Sequence, residues 1–480
     1  MPSPTFFWHD YETTGADPMR DRPLQFAGIR TDMNLKPMGE PVMLYCQPPP
    51  DSLPHPQATL ITGITPQQAQ RDGVIEAEFA VAVHEQLAQP GTCGVGYNSL
   101  RFDDAVTRHL LYRNFHDPYA REWQDGNSRW DIIDLARMAF ALRPDGIVWP
   151  EHDDGTPSFK LEHLATANRL KQEHAHDALS DVEATIAFAR LLRTHQPRLW
   201  DWYFKLRRKA AVQGLIDVAG MTPLLHVSSR YSASRGCLAM IVPLAMHPTR
   251  STEVIVADLA GDPDDLITLD AEAIADRLFT PRADLPEGIE RVGLRTLHIN
   301  RSPALAPLTT LKDVDTTRIG LDVDACLAHA EHLRRADGLA EKVRRVYATA
   351  SDLPPADDPE LALYGGFLPD ADRPLLERVR STPPEQLGHA RFPFRDPRYP
   401  ELLLRYRARN WPGTLNTSER AHWDEYRRAR LTCETSVTTL TLDSYFAHIA
   451  DLRRDPARNG HEQALLDQLD AWGQQLQATL

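Results

Sequence analysis

Two proline-marked breaks, at Gln196-Pro197 and at Pro354-Pro355, divide the chain into stretches with different hydrophobic rhythms. That punctuation argues against a fold built around one core. At 480 residues the chain also exceeds what a single core usually fills, and two to four domains are expected. Residues 1 to about 195 alternate strand-like and helix-like runs. The aromatic-rich Thr5-Phe6-Phe7-Trp8-His9-Asp10-Tyr11-Glu12 reads as a strand ended by Thr13-Thr14-Gly15. Pro41 to Cys46 reads as another, stopped by Pro48-Pro49-Pro50, and Thr92 to Tyr97 as a third, leading into a helix near Asp103. Leu179, Val182, Ile186 and Ala189 recur at helical spacing over 178–193. Strands interleaved with helices predict an α/β unit, a mixed sheet with helical cover. Residues 215–310 carry shorter β segments such as Leu238 to Val242 and Glu253 to Val256, and the chain after Pro354-Pro355 is mostly helical by pattern. The expected division is 1–195, 196–350 and 354–480.

Hydrophobic residues make up 42 % and charged residues 25 % of the chain, the profile of a soluble globular protein. Apolar runs stay short of the ~18 residues that a membrane span requires, and Met1-Pro2-Ser3-Pro4-Thr5 does not open a secretory signal. Five scattered cysteines (Cys46, Cys93, Cys237, Cys326, Cys433) lack disulfide or zinc-ligand spacing and fit free thiols in the cytosol. The formal charge of −14 is unexpected for a protein that would bind phosphates, unless carboxylates gathered for metal ions account for part of it.

Three clusters carry the chemistry. Asp10 and Glu12, at i and i+2 of a strand, project from one face roughly 6.5–7 Å apart. Their repulsion is relieved by a divalent cation, and hard oxygen ligands suit magnesium or manganese. Taken alone, the pair is also what a solvated strand edge shows. Asn98-Ser99-Leu100-Arg101-Phe102-Asp103-Asp104 follows a strand end, and His176-Asp177-Ala178-Leu179-Ser180-Asp181 opens the amphipathic helix. Asp181 borders that helix's apolar face, where a half-buried acid is costly without a partner.

In order and spacing, Asp10-x-Glu12-Thr13-Thr14, Asn98-x-x-x-Phe102-Asp103 and His176-x-x-x-x-Asp181 resemble the three motifs of the DEDD superfamily of 3′→5′ exonucleases, in its histidine-bearing branch. A finer resemblance covers nearly the whole chain. Ser128-Arg129-Trp130-Asp131, Pro157-Ser158-Phe159-Lys160-Leu161-Glu162-His163-Leu164, Val256 to Asp262 and Tyr406-Arg407-Ala408-Arg409-Asn410 are similar to the bacterial exonuclease I family. The resemblance implies an RNase H-like nuclease domain, an SH3-like β domain and a helical C-terminal domain. It also implies a monomer that degrades single-stranded DNA from the 3′ end in DNA repair and recombination.

Phosphodiester hydrolysis by this class uses two metal ions roughly 3.5–4 Å apart, here two Mg2+ that Mn2+ can replace. Asp10, Glu12, Asp103 and Asp181 are the expected ligands, with Asp103 serving the second ion. Asp103 is preferred over Asp104 because adjacent helical residues diverge by about 100°, and the family spacing from Asn98 selects the same residue. His176 is the expected general base. By resemblance, Glu12 and Lys160 touch the 3′-terminal nucleotide, with Lys160 standing where an Arg is often found. Arg108, Tyr119, Trp123, Arg137 and Lys209 match family positions near the strand, and Arg143 matches a contact to the acidic C-terminal tail of single-stranded DNA-binding protein.

The rival readings are an RNA-trimming or proofreading member of the same superfamily, a catalytically idle nucleic-acid adaptor, and a metal-dependent phosphatase. The first leaves about 285 residues unexplained, the second is disfavoured by a complete residue set, and the third has no use for three domains. Residues 401–430 hold seven arginines against four acids. That excess predicts either a basic path for the strand or a helical surface laced with ion pairs.

Overall fold

The computed structural model describes residues 3–170, 177–348 and 356–480. They form two compact units that are not continuous in sequence. The first takes the chain up to Ser128, the start of a helix through Ile186, and the C-terminal segment to Leu480; the second begins at Arg129 and resumes at Ala187.

In the first unit β1 (Thr5–Thr13) is central. It pairs antiparallel with β2 (Pro23–Thr31), which pairs antiparallel with β3 (Val42–Tyr45), and it pairs parallel with β4 (Thr92–Gly96). Phe6, Phe7, Trp8 and Tyr11 are all buried, so β1 is covered on both faces. Its sequence accordingly runs apolar without alternation. Phe7, Tyr11 and Phe26 pack with Phe79 and Val83 of the Glu76–Leu87 helix and with Leu110 of the Asp103–Arg113 helix.

The C-terminal segment of this unit is helical. The helices Thr417–Thr432, Leu442–Arg453 and Gly460–Gln477 each open on a capping box, built by Asn416 with Glu419, Thr441 with Ser444, and Asn459 with Glu462. Leu53 joins Leu431, Tyr445, Leu466 and Trp472 in one apolar cluster.

This segment also settles the two readings of residues 401–430, because most of the arginines face inward. Arg405, Arg407, Arg409, Arg427 and Arg430 are buried. Arg409 and Arg430 hold Asp51, and Arg405, Arg409 and Arg22 hold Glu360. The charge excess belongs to a buried ion network, and the basic path for a strand is not there.

Strand β5 (Ser128–Asp131) carries the chain into the second unit. There β6 (Leu224–Val227), β7 (Leu238–Met246), β8 (Glu253–Asp258), β9 (Leu294–His298) and β10 (Ala304–Pro307) form an antiparallel sheet in the order β10-β6-β7-β8-β9. Pro243 sits inside the central strand β7, where it lacks an N–H for the ladder, and the register shifts between Pro243 and Ala245. Trp130 is fully buried against Trp200, edge to face with centroids 4.8 Å apart.

Candidate active site

Three of the expected ligands come together in the first unit. One ligand atom each of Asp10, Glu12 and Asp181 lies within 4.8 Å of the other two. Strand β1 supplies Asp10 and Glu12 on one face, and the first turn of the Ala178–His195 helix supplies Asp181. Asp103 is fixed beside them, since the Tyr11 N–H, between the two β1 acids, donates to its Oδ1 at 3.1 Å. A contact between the Tyr11 and Thr107 hydroxyls at 3.0 Å holds the same helix against β1.

The neighbouring Asp104 turns away and forms a buried ion pair with Arg121. The preference for Asp103 therefore has a structural counterpart: one acid joins the cluster, and the other is neutralised elsewhere. His176 lies outside the described residues.

The cluster repels itself. Burial, then the Asp103, Glu12 and Asp181 carboxylates, push Asp10 well above the usual carboxylate range. Burial, with Asp181 and Asp103, pushes Glu12 up to about 9. Such a site is completed by cations that replace lost hydration and cancel the repulsion.

An acid whose pKa rises on folding binds more protons folded than unfolded, so stability falls as pH climbs from the unfolded value near 4.5 towards about 9. In chelator the thermal midpoint should drop across that window, and added Mg2+ should remove most of the drop. A midpoint indifferent to both pH and Mg2+ would contradict this electrostatic picture.

Gln25 was not singled out by the sequence. It is fully buried on β2, directly across from Glu12 in the ladder. Its Oε1 accepts from the Ala178 N–H at 3.2 Å, and its Nε2 donates to Asp177 Oδ1 at 3.2 Å and to the Tyr45 hydroxyl at 3.0 Å. Asp177 in turn accepts from the Ser180 N–H. One amide thus ties β2, the strand paired with that of Glu12, to the N-terminus of the helix that carries Asp181. The available signal was a lone Gln amid the apolar run Pro23-Leu24-Gln25-Phe26-Ala27. Gln25→Ala should lower kcat about 10- to 100-fold, the usual cost of losing a group that orients metal ligands, and steady-state rates on a single strand check this.

The remaining expected residues are less uniform. Arg108 is clamped by Glu122 through two hydrogen bonds, at 2.7 and 2.9 Å, and lies 5.3 Å from the Tyr119 ring. Trp123 is 66 % exposed. In the second unit Arg137 is buried and donates to Asp134 at 2.6 Å. Lys160 is exposed with Glu162 at 3.6 Å, Lys209 is exposed at the start of the Lys209–Gln213 helix, and Arg143 donates to the Thr310 carbonyl at 3.1 Å.

A mixed sheet that gathers carboxylates beside a helix N-terminus defines a nuclease of the metal-carboxylate class, and residues 7–189 match the family model described as Exonuclease. Residues 207–349 match the Exonuclease I SH3-like domain and residues 357–476 the Exonuclease I C-terminal domain. The chain is 48 % identical to exodeoxyribonuclease I of Escherichia coli (strain K12), over 90 % of each chain. It is 41 % identical to that of Haemophilus influenzae over 98 % of each. Its fold superposes on the solved exonuclease I of Methylocaldum szegediense with a TM-score of 0.95 at 50 % identity, covering 98 % of this chain and 99 % of that one. The chain belongs to the exodeoxyribonuclease I family.

Proposed function

We propose that this chain removes nucleotides one at a time from the 3′ end of single-stranded DNA, by hydrolysis supported by two divalent cations, Mg2+ with Mn2+ able to substitute. The observation that carries the reading is the convergence of Asp10, Glu12 and Asp181 within 4.8 Å, with Asp103 held alongside. The Escherichia coli exonuclease I solved in complex with a dA16 oligonucleotide, at 45 % identity over 99 % of this chain, supports the substrate class. A zinc-ion-bound form of the same protein with single-stranded DNA supports a metal in this family's site.

Asp10, Glu12 and Asp181 would hold the cations, with Asp103 contributing to the second. Bound cations supply charge neutralisation at the attacking and leaving oxygens. The chain's own groups do the rest: His176 accepts the proton of the attacking water, Glu12 and Lys160 position the terminal nucleotide, and Arg108, Tyr119, Trp123, Arg137 and Lys209 guide the strand. Arg143 receives the acidic tail of single-stranded DNA-binding protein, a reading supported by a solved ExoI/SSB-Ct complex. Among the described residues no helix is long and apolar enough to cross a membrane, and cytosolic action in DNA repair is part of the same proposal.

The test compares single-stranded DNA, duplex DNA and RNA labelled at the 5′ end, each incubated with Mg2+. Stepwise shortening of the DNA single strand, with duplex and RNA little affected, is the expected pattern. Binding without shortening would favour the idle adaptor, and preferential trimming of RNA would favour an RNA-trimming member of the same superfamily.

A further inference from the structure

The Asp103–Arg113 helix opens without a side-chain cap, since Phe102 stands at its N-cap position and offers no acceptor to the free N–H groups. A first turn left in that state frays unless something else holds it. Here the turn carries Asp103, and a metal ligand must be held within about 0.5 Å of its productive position. The Tyr11 N–H fixes one carboxylate oxygen of Asp103. The restraint on the turn itself lies one residue further on.

Asp104 meets Arg121 at 2.5 Å, and both side chains are buried. Arg121 comes from the short 3-10 turn Ala120–Glu122 and reaches the sheet. A Cβ placed on Gly94 of β4 would stand 3.5 Å from Arg121 Nη1 and 3.6 Å from Nε2 of His9, the residue before Asp10. The guanidinium therefore lies beside both the turn that presents Asp103 and the strand that presents Asp10 and Glu12. The next residue, Glu122, takes Arg108 one helical turn beyond Asp104, at 2.7 and 2.9 Å. The two pairs have opposite polarity. Sliding the helix by one turn, about 5.4 Å, would bring Arg108 to Arg121 and set like charges together, so the pattern admits one axial position. Buried ion pairs add little net stability compared with apolar groups of the same volume, and the role they serve best is fixing a register.

We infer that Arg121 is a positioning residue for the metal site: through Asp104 it sets the first turn of the Asp103–Arg113 helix, and with it the carboxylate that serves the second cation. The inference rests on the proposed ligand role of Asp103 and adds what holds that ligand in place.

Mn2+ binding, followed by the EPR signal of the free ion, separates position from stability. Arg121→Gln should weaken the less tightly held of the two ions about 10- to 100-fold, the usual cost of losing a group that orients a metal ligand, and leave the tighter ion unchanged. A double variant, Asp104→Asn with Arg121→Gln, removes both charges. In chelator it should melt close to wild type, while still binding the second Mn2+ weakly. Unchanged binding of both ions in these variants would overturn the positioning role. So would a double variant whose second-ion affinity follows its melting temperature, both restored or both lost, because the pair would then be structural alone. Asp103→Asn keeps the two readings apart. If it loses the second ion while the double variant keeps it, the positioning role fails and the ligand role stands; if it keeps both ions, the ligand role fails and takes the positioning role with it.

Discussion

Replacing Asp10 with Asn should reduce kcat/KM on single-stranded DNA by three to five orders of magnitude, about 4–7 kcal/mol of transition-state stabilisation. The substitution keeps the side chain's size and removes one charge from a cluster in which Asp10, Glu12, Asp103 and Asp181 already repel one another. The effect on the fold should therefore have the opposite sign. Without cations, Asp10→Asn should melt at a higher temperature than wild type, because a buried, uncompensated carboxylate has gone. A dead but more stable enzyme that still binds the strand cannot be explained by unfolding. Rate assays paired with thermal melts in chelator check both halves; an active variant, or one that melts lower, would contradict the assignment.

Glu360→Gln should be among the most destabilising single substitutions away from the carboxylate cluster. Glu360 is 5 % exposed and meets Arg22 at 2.5 Å, Arg409 at 2.6 Å and Arg405 at 3.3 Å. Asp51, with no exposure, takes Arg409 at 2.8 Å and Arg430 at 2.7 Å, and Glu76 takes Arg113 at 2.9 Å. Removing one acid leaves several buried guanidinium groups facing one another. Breaking such a network by deleting one partner costs about 3–5 kcal/mol, which corresponds to a fall of roughly 5–9 °C in the melting transition of the first unit.

The same network sets acid sensitivity. Surrounding arginines hold Glu360 well below the usual carboxylate range, and Arg113 and Arg22 hold Glu76 down at about 2. Carboxylates depressed on folding add stability above the unfolded pKa near 4.5, and that stability is lost as pH falls towards about 2. Wild type should therefore lose stability steeply below about pH 4.5, and Glu360→Gln should show a shallower fall from a lower start. Melts across acid pH check the prediction, and parallel curves for the two proteins would refute it.

Much of the site was legible in the sequence because its geometry is local. Asp10 and Glu12 share a face by strand periodicity alone, and Asp181 follows from the first turn of an amphipathic helix. The helical angle shows that Asp103 and Asp104 diverge, and the family spacing from Asn98 selects Asp103. Gln25 was hidden for the opposite reason: its role depends on the antiparallel register that sets it across from Glu12, which no single segment encodes.

The arginine network was hidden by resemblance to an ordinary surface. Arginines and acids at helical spacing look the same whether they face water or a partner segment. Only the packing of Arg409 and Arg430 against Asp51, 358 and 379 residues earlier, decides between the two. The membership of the first unit has the same origin. The C-terminal helices read as a separate segment, yet they are tied by buried charge to the sheet that carries Asp10.

In the proposed site four carboxylates hold two cations where a 3′ end is cut. Anomalous diffraction from crystals soaked with Mn2+ in the presence of a short single strand tests it most directly. Two peaks about 3.5–4 Å apart, bounded by Asp10, Glu12, Asp103 and Asp181, are predicted, and both should vanish in Asp10→Asn. Peaks elsewhere, with these four side chains bare in a catalytically active crystal, would contradict it.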